Sequence, residues 1–170
     1  VAEPLVVDLL GGLGDLVMVL PAVHALARRH GPVRVLTHAP GDALLATDPA
    51  VAGVAVADKG RELPTVLAEL DRGPDLVVST TDHSGIGAAI RARAPRSVTN
   101  LWRNPPPDQP VARRYVEILA AEGLVDGGYR PPAIHLIDAE RAAADVPGER
   151  PVVLVPAAGM AVKVWPHWAD

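Results

Sequence analysis

A chain of 170 residues with 49% hydrophobic and 21% charged side chains is long enough for one well-cored domain and too apolar for disorder. A net charge of −4 argues against a broad basic surface for nucleic acid, and the absence of cysteine excludes disulfides, thiolate metal sites and cysteine nucleophiles. With no phenylalanine and only Trp102, Trp165, Trp168, Tyr115 and Tyr129 as aromatics, the core must be aliphatic.

The first aliphatic run, residues 5–10, is too short to span a membrane and lacks the basic flank of a signal peptide, so the reading is a soluble, cytoplasmic protein. It reads as a strand, followed by a glycine-rich turn and a helix over 16–29. Leu16, Val19, Leu20, Val23 and Ala27 recur at the spacing of one buried helical face. Pro21 removes a backbone donor there and is expected to kink or delay that helix. Further strands are expected at 33–37, 54–57, 75–79 and 96–99, with helices over 41–47, 62–71 and 85–93. Short aliphatic runs alternating with helical patterns give an α/β fold: a Rossmann-like parallel sheet with helices on both faces.

Residues 104–110 hold four prolines and read as extended and structureless. A helix over 112–122 follows, with Tyr115, Leu119 and Glu122 on its repeat and Gly123 as its stop. A short strand is expected at 134–137 and a short helix at 139–145. Residues 147–151 read as a linker, 152–155 as a new buried strand, and Trp165-Pro166 as the start of a helix. A lone strand and a helix stub do not bury themselves. The expected division is therefore an amino-terminal domain over 1–146 and the opening of a second domain over 147–170, the remainder of which is missing.

Two loops carry chemistry. In the first, Gly11, Gly12 and Gly14 let the chain turn sharply and let a ligand approach the helix amino terminus. A dinucleotide fingerprint would need glycine at Val17, would not place Asp15 where a pyrophosphate sits, and would close the second strand with an acid instead of Thr37-His38. Asp15 has two compatible readings: a capping residue that accepts helix amides, or a general base at the carboxyl edge of the sheet. A solvated carboxylate carries its charge at neutral pH and can accept a proton. In the second loop, residues 155–166, small residues around Ala158 and Gly159 offer backbone amides to phosphate oxygens, and Lys163 offers a positive charge. Lys163 and Lys59 are the only lysines, against 14 arginines, a bias usual for a GC-rich bacterial genome.

Gly11-Gly12-Leu13-Gly14-Asp15 followed by Leu20-Pro21-Ala22, with Lys163-x-Trp165-Pro166 near the other end, resembles the heptosyltransferase-type glycosyltransferases (family 9). The similarity spans the whole chain but about half of a family enzyme. It implies the amino-terminal, acceptor-side half of a GT-B architecture, made of two facing Rossmann-like domains. It further implies an inverting transfer of a heptose-like sugar from a nucleotide-diphosphate sugar to a glycan or secondary-metabolite acceptor. No essential metal and no cofactor beyond the donor substrate are implied, nor is any nucleic-acid partner. A lipid-linked acceptor would bring peripheral membrane contact. By position, Asp15 would be the general base, Gly12, Leu13 and Gly14 would face the acceptor, and Lys163 would neutralise the departing diphosphate. Where family members commonly carry a hydroxyl residue, this sequence has Ala158 and Gly159, leaving backbone amides to meet phosphate. The 170 residues alone are expected to be inactive.

Weaker candidates surround these. His83, in the segment 80–85 after the fourth strand, could bind an acceptor or shuttle a proton; its blander reading is a polar turn capping the next helix. Arg91, Arg93 and Arg96 cluster at a helix end, and Arg103, Arg113 and Arg114 flank the proline-rich segment, where solvated arginines are the commoner outcome. His24, His30 and His38 lack metal-ligand spacing, and no metal site is expected. Two rival functions remain: a nucleotide-dependent oxidoreductase using the glycine turn, and a GT-B-like binding module that has lost catalysis.

Overall fold

The computed structural model describes residues 3–103 and 107–143. The expected linker, strand and helix beyond residue 146 lie outside the described residues. The chain divides into two compact units, Val1–Leu136 and Ile137–Asp170. In the second, the described part is the short helix α6, Asp138–Ala143, in which Glu140 accepts a hydrogen bond from the Ile137 amide at 2.9 Å.

The first unit is a five-stranded sheet of β1 (Leu5–Val7), β2 (Val33–Thr37), β3 (Val51–Val56), β4 (Leu76–Ser79) and β5 (Arg96–Val98). All neighbouring strands are parallel, in the order β3-β2-β1-β4-β5. The connecting helices are α1 (Leu13–His30), α2 (Gly41–Leu45), α3 (Glu62–Leu70) and α4 (Ile86–Arg93), with α5 (Val111–Ala121) following β5.

Strand alternation sorts the aliphatic residues into two cores, one on each face. Val6, Val33, Val35, Leu76, Val78 and Val98 pack with Leu16, Val19, Leu20, Val23 and Leu26 of α1 and Tyr115 and Leu119 of α5. Leu5, Val7, Leu36 and Val77 pack on the opposite face with Val66 and Leu70 of α3 and Ile86 and Ile90 of α4. A Rossmann-like sheet with helices on both faces is the result, built on an aliphatic interior in which, among the described residues, Tyr115 is the fully buried aromatic.

Several boundaries differ from the sequence expectation. Strand β1 is shorter because the chain turns away after Asp8, whose amide still reaches the Leu36 carbonyl at 2.8 Å. Strand β3 starts earlier, at Val51, where it pairs with Val33. Helix α1 begins at Leu13 and runs without interruption through Pro21, whose ring is buried against the core. Its tertiary packing outweighs the one backbone bond that proline removes. Helix α5 ends as expected at Gly123, in the left-handed region at φ 65°. Leu124 N–H there reaches Leu119 O at 2.9 Å, and Gly123 N–H reaches Ala120 O, also at 2.9 Å.

Residues 134–137 form no strand. Ile134, Leu136 and Ile137 are exposed, and Pro131 and Pro132 precede them without amide donors, so the segment joins no ladder. It is tied instead by Thr47 Oγ1, which donates to the His135 carbonyl at 2.6 Å.

Candidate functional site

The strand order reverses direction between β1 and β4, because the chain moves outward from β1 to β3 and then returns to the other side. Loops leaving the carboxyl ends of β1 and β4 diverge there, opening the crevice in which open α/β sheets bind ligands. The glycine turn lies at this point. Gly11 has φ 126°, which an L side chain rarely adopts, and Gly12 is extended at φ −130° and serves as the amino-terminal cap of α1.

Asp15 stands in the first turn of α1 and is half-buried. Its Oδ2 accepts the Gly12 amide at 3.0 Å, one half of a capping box; Gly12 has no side chain to complete the other half. Among the described residues Oδ1 accepts no hydrogen bond. Capping thus occupies one carboxylate oxygen and orients the group, while the second oxygen retains its lone pairs. Gly12, Leu13 and Gly14 are all exposed around it. A side chain at Gly12 would crowd Asp15, since a Cβ there would sit 3.3 Å from Oδ2.

The crevice also holds groups whose roles were not apparent from sequence. Asp8, the one charged residue within the run 5–10, is 2% exposed. It accepts a hydrogen bond from Thr80 Oγ1 at 3.0 Å. Burial pushes its carboxyl up from 3.8 to about 6; the Thr80 hydroxyl opposes this, the Asp15 charge adds to it, and a bond from the Leu10 amide opposes it again. Tyr115, from α5, is fully buried, and its hydroxyl has no hydrogen-bond partner among the described residues. Burial, then the charges of Asp8 and Asp15, push its phenol above the ordinary range.

His38, at the end of β2, is buried with Nε2 3.3 Å from Glu62 Oε1, while its Nδ1 is unpartnered among the described residues. His38 and Asp8 line a small pocket together with Gly11, Gly12, Leu13 and Thr37. A lone Asp within an aliphatic run was the available signal for this cluster. Thr80, Tyr115 and His38 carried none, because their convergence depends on strand order.

His83 is exposed in the loop after β4, where its Nδ1 lies 3.0 Å from Ser84 Oγ. The cap position of α4 falls on Gly85, and no side chain caps that helix. Asp82 instead pairs with Arg91 at 3.1 Å. Of the arginines, Arg93 pairs with Asp71, Arg96 with the Glu122 carbonyl and Arg103 with the Thr99 carbonyl. Arg113 lies over the Tyr129 ring at 5.2 Å. Ala158, Gly159 and Lys163 lie outside the described residues. No helix among the described residues is long and apolar enough to cross a membrane.

No family model matches the sequence. No curated protein matches it either. Solved structures do resemble the fold. The crystal structure of the glycosyl transferase family 9 from Veillonella parvula DSM 2008 superposes with a TM-score of 0.65 at 19% identity, over 84% of this chain and 48% of that one. The structure of E. coli ADP-heptose lps heptosyltransferase II gives 0.61 at 15% identity, over 83% and 49%. The chain thus spans about half the length of each. In fold, this chain is similar to one half of these solved transferases.

Proposed function

We propose that the chain is the acceptor-side half of an inverting, heptosyltransferase-like glycosyltransferase of GT-B architecture. The single observation that supports this most is Asp15, oriented by the Gly12 amide through Oδ2 at the switch point of the sheet, with Oδ1 left without a hydrogen bond among the described residues. In this reading the acceptor lies over Gly12, Leu13 and Gly14, and Asp15 takes the proton from its hydroxyl. The acceptor oxygen attacks the anomeric carbon, the bond from that carbon to the diphosphate breaks, and the diphosphate departs with the electron pair. Lys163 and the amides around Ala158 and Gly159 would receive that charge. His83 is a candidate for holding the acceptor. The donor is a nucleotide-diphosphate sugar and the acceptor a glycan or secondary metabolite. The 170 residues alone are expected to lack turnover.

The test is Asp15→Asn in the full-length protein, assayed with nucleotide-diphosphate sugars. Turnover should fall while donor binding persists. Retained turnover would remove Asp15 as the base and return it to a purely capping role.

A further inference from the structure

On the flank of the sheet away from the glycine turn, three side chains far apart in sequence converge. His24 comes from the middle of α1, Asp48 from the turn between α2 and β3, and His135 from the segment that returns after α5. Their nearest ligand atoms all lie within 4.8 Å of one another. His24 Nε2 lies 2.7 Å from Asp48 Oδ2, and His135 Nε2 lies 3.9 Å from Asp48 Oδ1. The two rings meet edge to face with centroids 5.7 Å apart.

We propose that His24, Asp48 and His135 form a binding site for a divalent first-row transition ion of the zinc type. Two imidazoles and one carboxylate are a borderline donor set; a tetrahedral ion with bonds of roughly 2.0–2.1 Å holds its ligand atoms roughly 3.3–3.4 Å apart, so on binding the His24–Asp48 pair at 2.7 Å would open and the wider separations, up to 4.8 Å, would close. The carboxylate is placed before any ion arrives. The Asp48 side chain is 2% exposed, and the Ala50 amide donates to its Oδ1 at 2.9 Å. The main chain at His135 is anchored to the same turn, because Thr47, next to Asp48 in the chain, donates through Oγ1 to the His135 carbonyl at 2.6 Å. Such outer contacts fix the orientation of metal ligands. The Asp48 carboxylate can only accept, so in the metal-free chain the 2.7 Å contact places a hydrogen on His24 Nε2; with the ring hydrogen on Nδ1 alone, Nε2 has a free lone pair for the ion.

The local field narrows the choice of ion. Arg28 and Arg130 line the open pocket of about 410 Å³ beside His24 and His135. Two guanidinium groups oppose a cation held by charge alone, so calcium and magnesium, which need several oxygen ligands, are disfavoured. Imidazole coordination is less dependent on net charge and suits zinc, cobalt and nickel. The open pocket leaves room for a water as fourth ligand. The ion would staple α1, the α2–β3 turn and the 130–136 segment together.

The experiment uses the full chain, stripped with a chelator and titrated calorimetrically with ZnCl2, then with MgCl2, beside His135→Ala and His24→Ala. His135 is 43% exposed, so its substitution leaves the core intact. Wild type should bind one Zn²⁺ per chain and no Mg²⁺, and His135→Ala should bind Zn²⁺ roughly 10–100-fold more weakly. Cobalt should give tetrahedral visible absorption that His135→Ala abolishes. Zinc binding of equal strength in wild type and His135→Ala, or none in wild type, would overturn the assignment.

Discussion

Thr80 Oγ1 donates a hydrogen bond to Asp8 Oδ1 at 3.0 Å, joining the ends of two adjacent parallel strands beneath the glycine turn. The same hydroxyl lies 3.4 Å from the Val7 carbonyl, so its single hydrogen is best used on the nearer carboxylate. The Thr80 hydroxyl and the Leu10 amide do not compensate a buried carboxylate for the water it has lost, and the proton affinity of Asp8 rises accordingly.

The consequence is a pH-dependent stability of definite sign. Raising the Asp8 carboxyl from 3.8 to about 6 on folding corresponds to roughly 3 kcal/mol. Below the lower value both states hold the proton. Between the two, the folded state holds it and the unfolded state does not, so stability falls as pH rises from about 4 to 6. Asp8→Asn should flatten that fall and be the more stable protein at pH 7. Urea unfolding of both proteins across this range checks it; parallel curves would show that Asp8 ionises normally.

Asp15 should separate capping from chemistry. Asparagine can still accept the Gly12 amide through its side-chain oxygen but cannot take a proton at neutral pH. Asp15→Asn should therefore stay within about 0.5 kcal/mol of wild type, while Asp15→Ala should lose roughly 0.5–1 kcal/mol. Thermal unfolding of the two variants reads the difference, and both should lack turnover in the full-length protein.

Gly41 opens α2 tightly packed. A Cβ there would lie 2.8 Å from Leu16 Cδ2 and 2.8 Å from Thr37 Cγ2, both on buried side chains. Helix propensity favours alanine over glycine by about 1 kcal/mol. Overpacking costs about 1–3 kcal/mol and should win here, since Leu16 is held by the core. Gly41→Ala should thus lower the denaturation midpoint.

Tyr115→Phe tests the hydroxyl that has no partner among the described residues. An unsatisfied buried polar group costs about 1–3 kcal/mol, so its removal should raise stability by about 1 kcal/mol, measured by chemical denaturation. A clear loss would mean that the hydroxyl is bonded in the folded protein.

Much of the architecture was legible because its causes are local. Alternating aliphatic runs and the periodic face of Leu16, Val19, Leu20 and Val23 depend on neighbours within a few residues, and Gly123 ends α5 where a left-handed residue is required. The 134–137 segment misled because Ile134, Leu136 and Ile137 have the composition of a strand, whereas strand formation depends on an available partner edge. Pro21 neither stops nor delays α1, which begins before it and continues past it, since burial of the helix against the sheet outweighs the local penalty.

The sequence by itself determined the parallel α/β class, the glycine turn and the presence of a carboxylate at its end, since these follow from spacing and from the few residues that tolerate such a turn. Only the tertiary structure decided what surrounds that carboxylate. Strand order brings Thr80 to Asp8, and helix packing places Tyr115 where it feels both aspartates. Residues separated by 72 positions meet because β1 and β4 pair, and hydrogen bonding between strands sets this, not proximity in the chain. The meeting of His24, Asp48 and His135 was hidden as well, because it depends on how α1, the α2–β3 turn and the segment after α5 pack together.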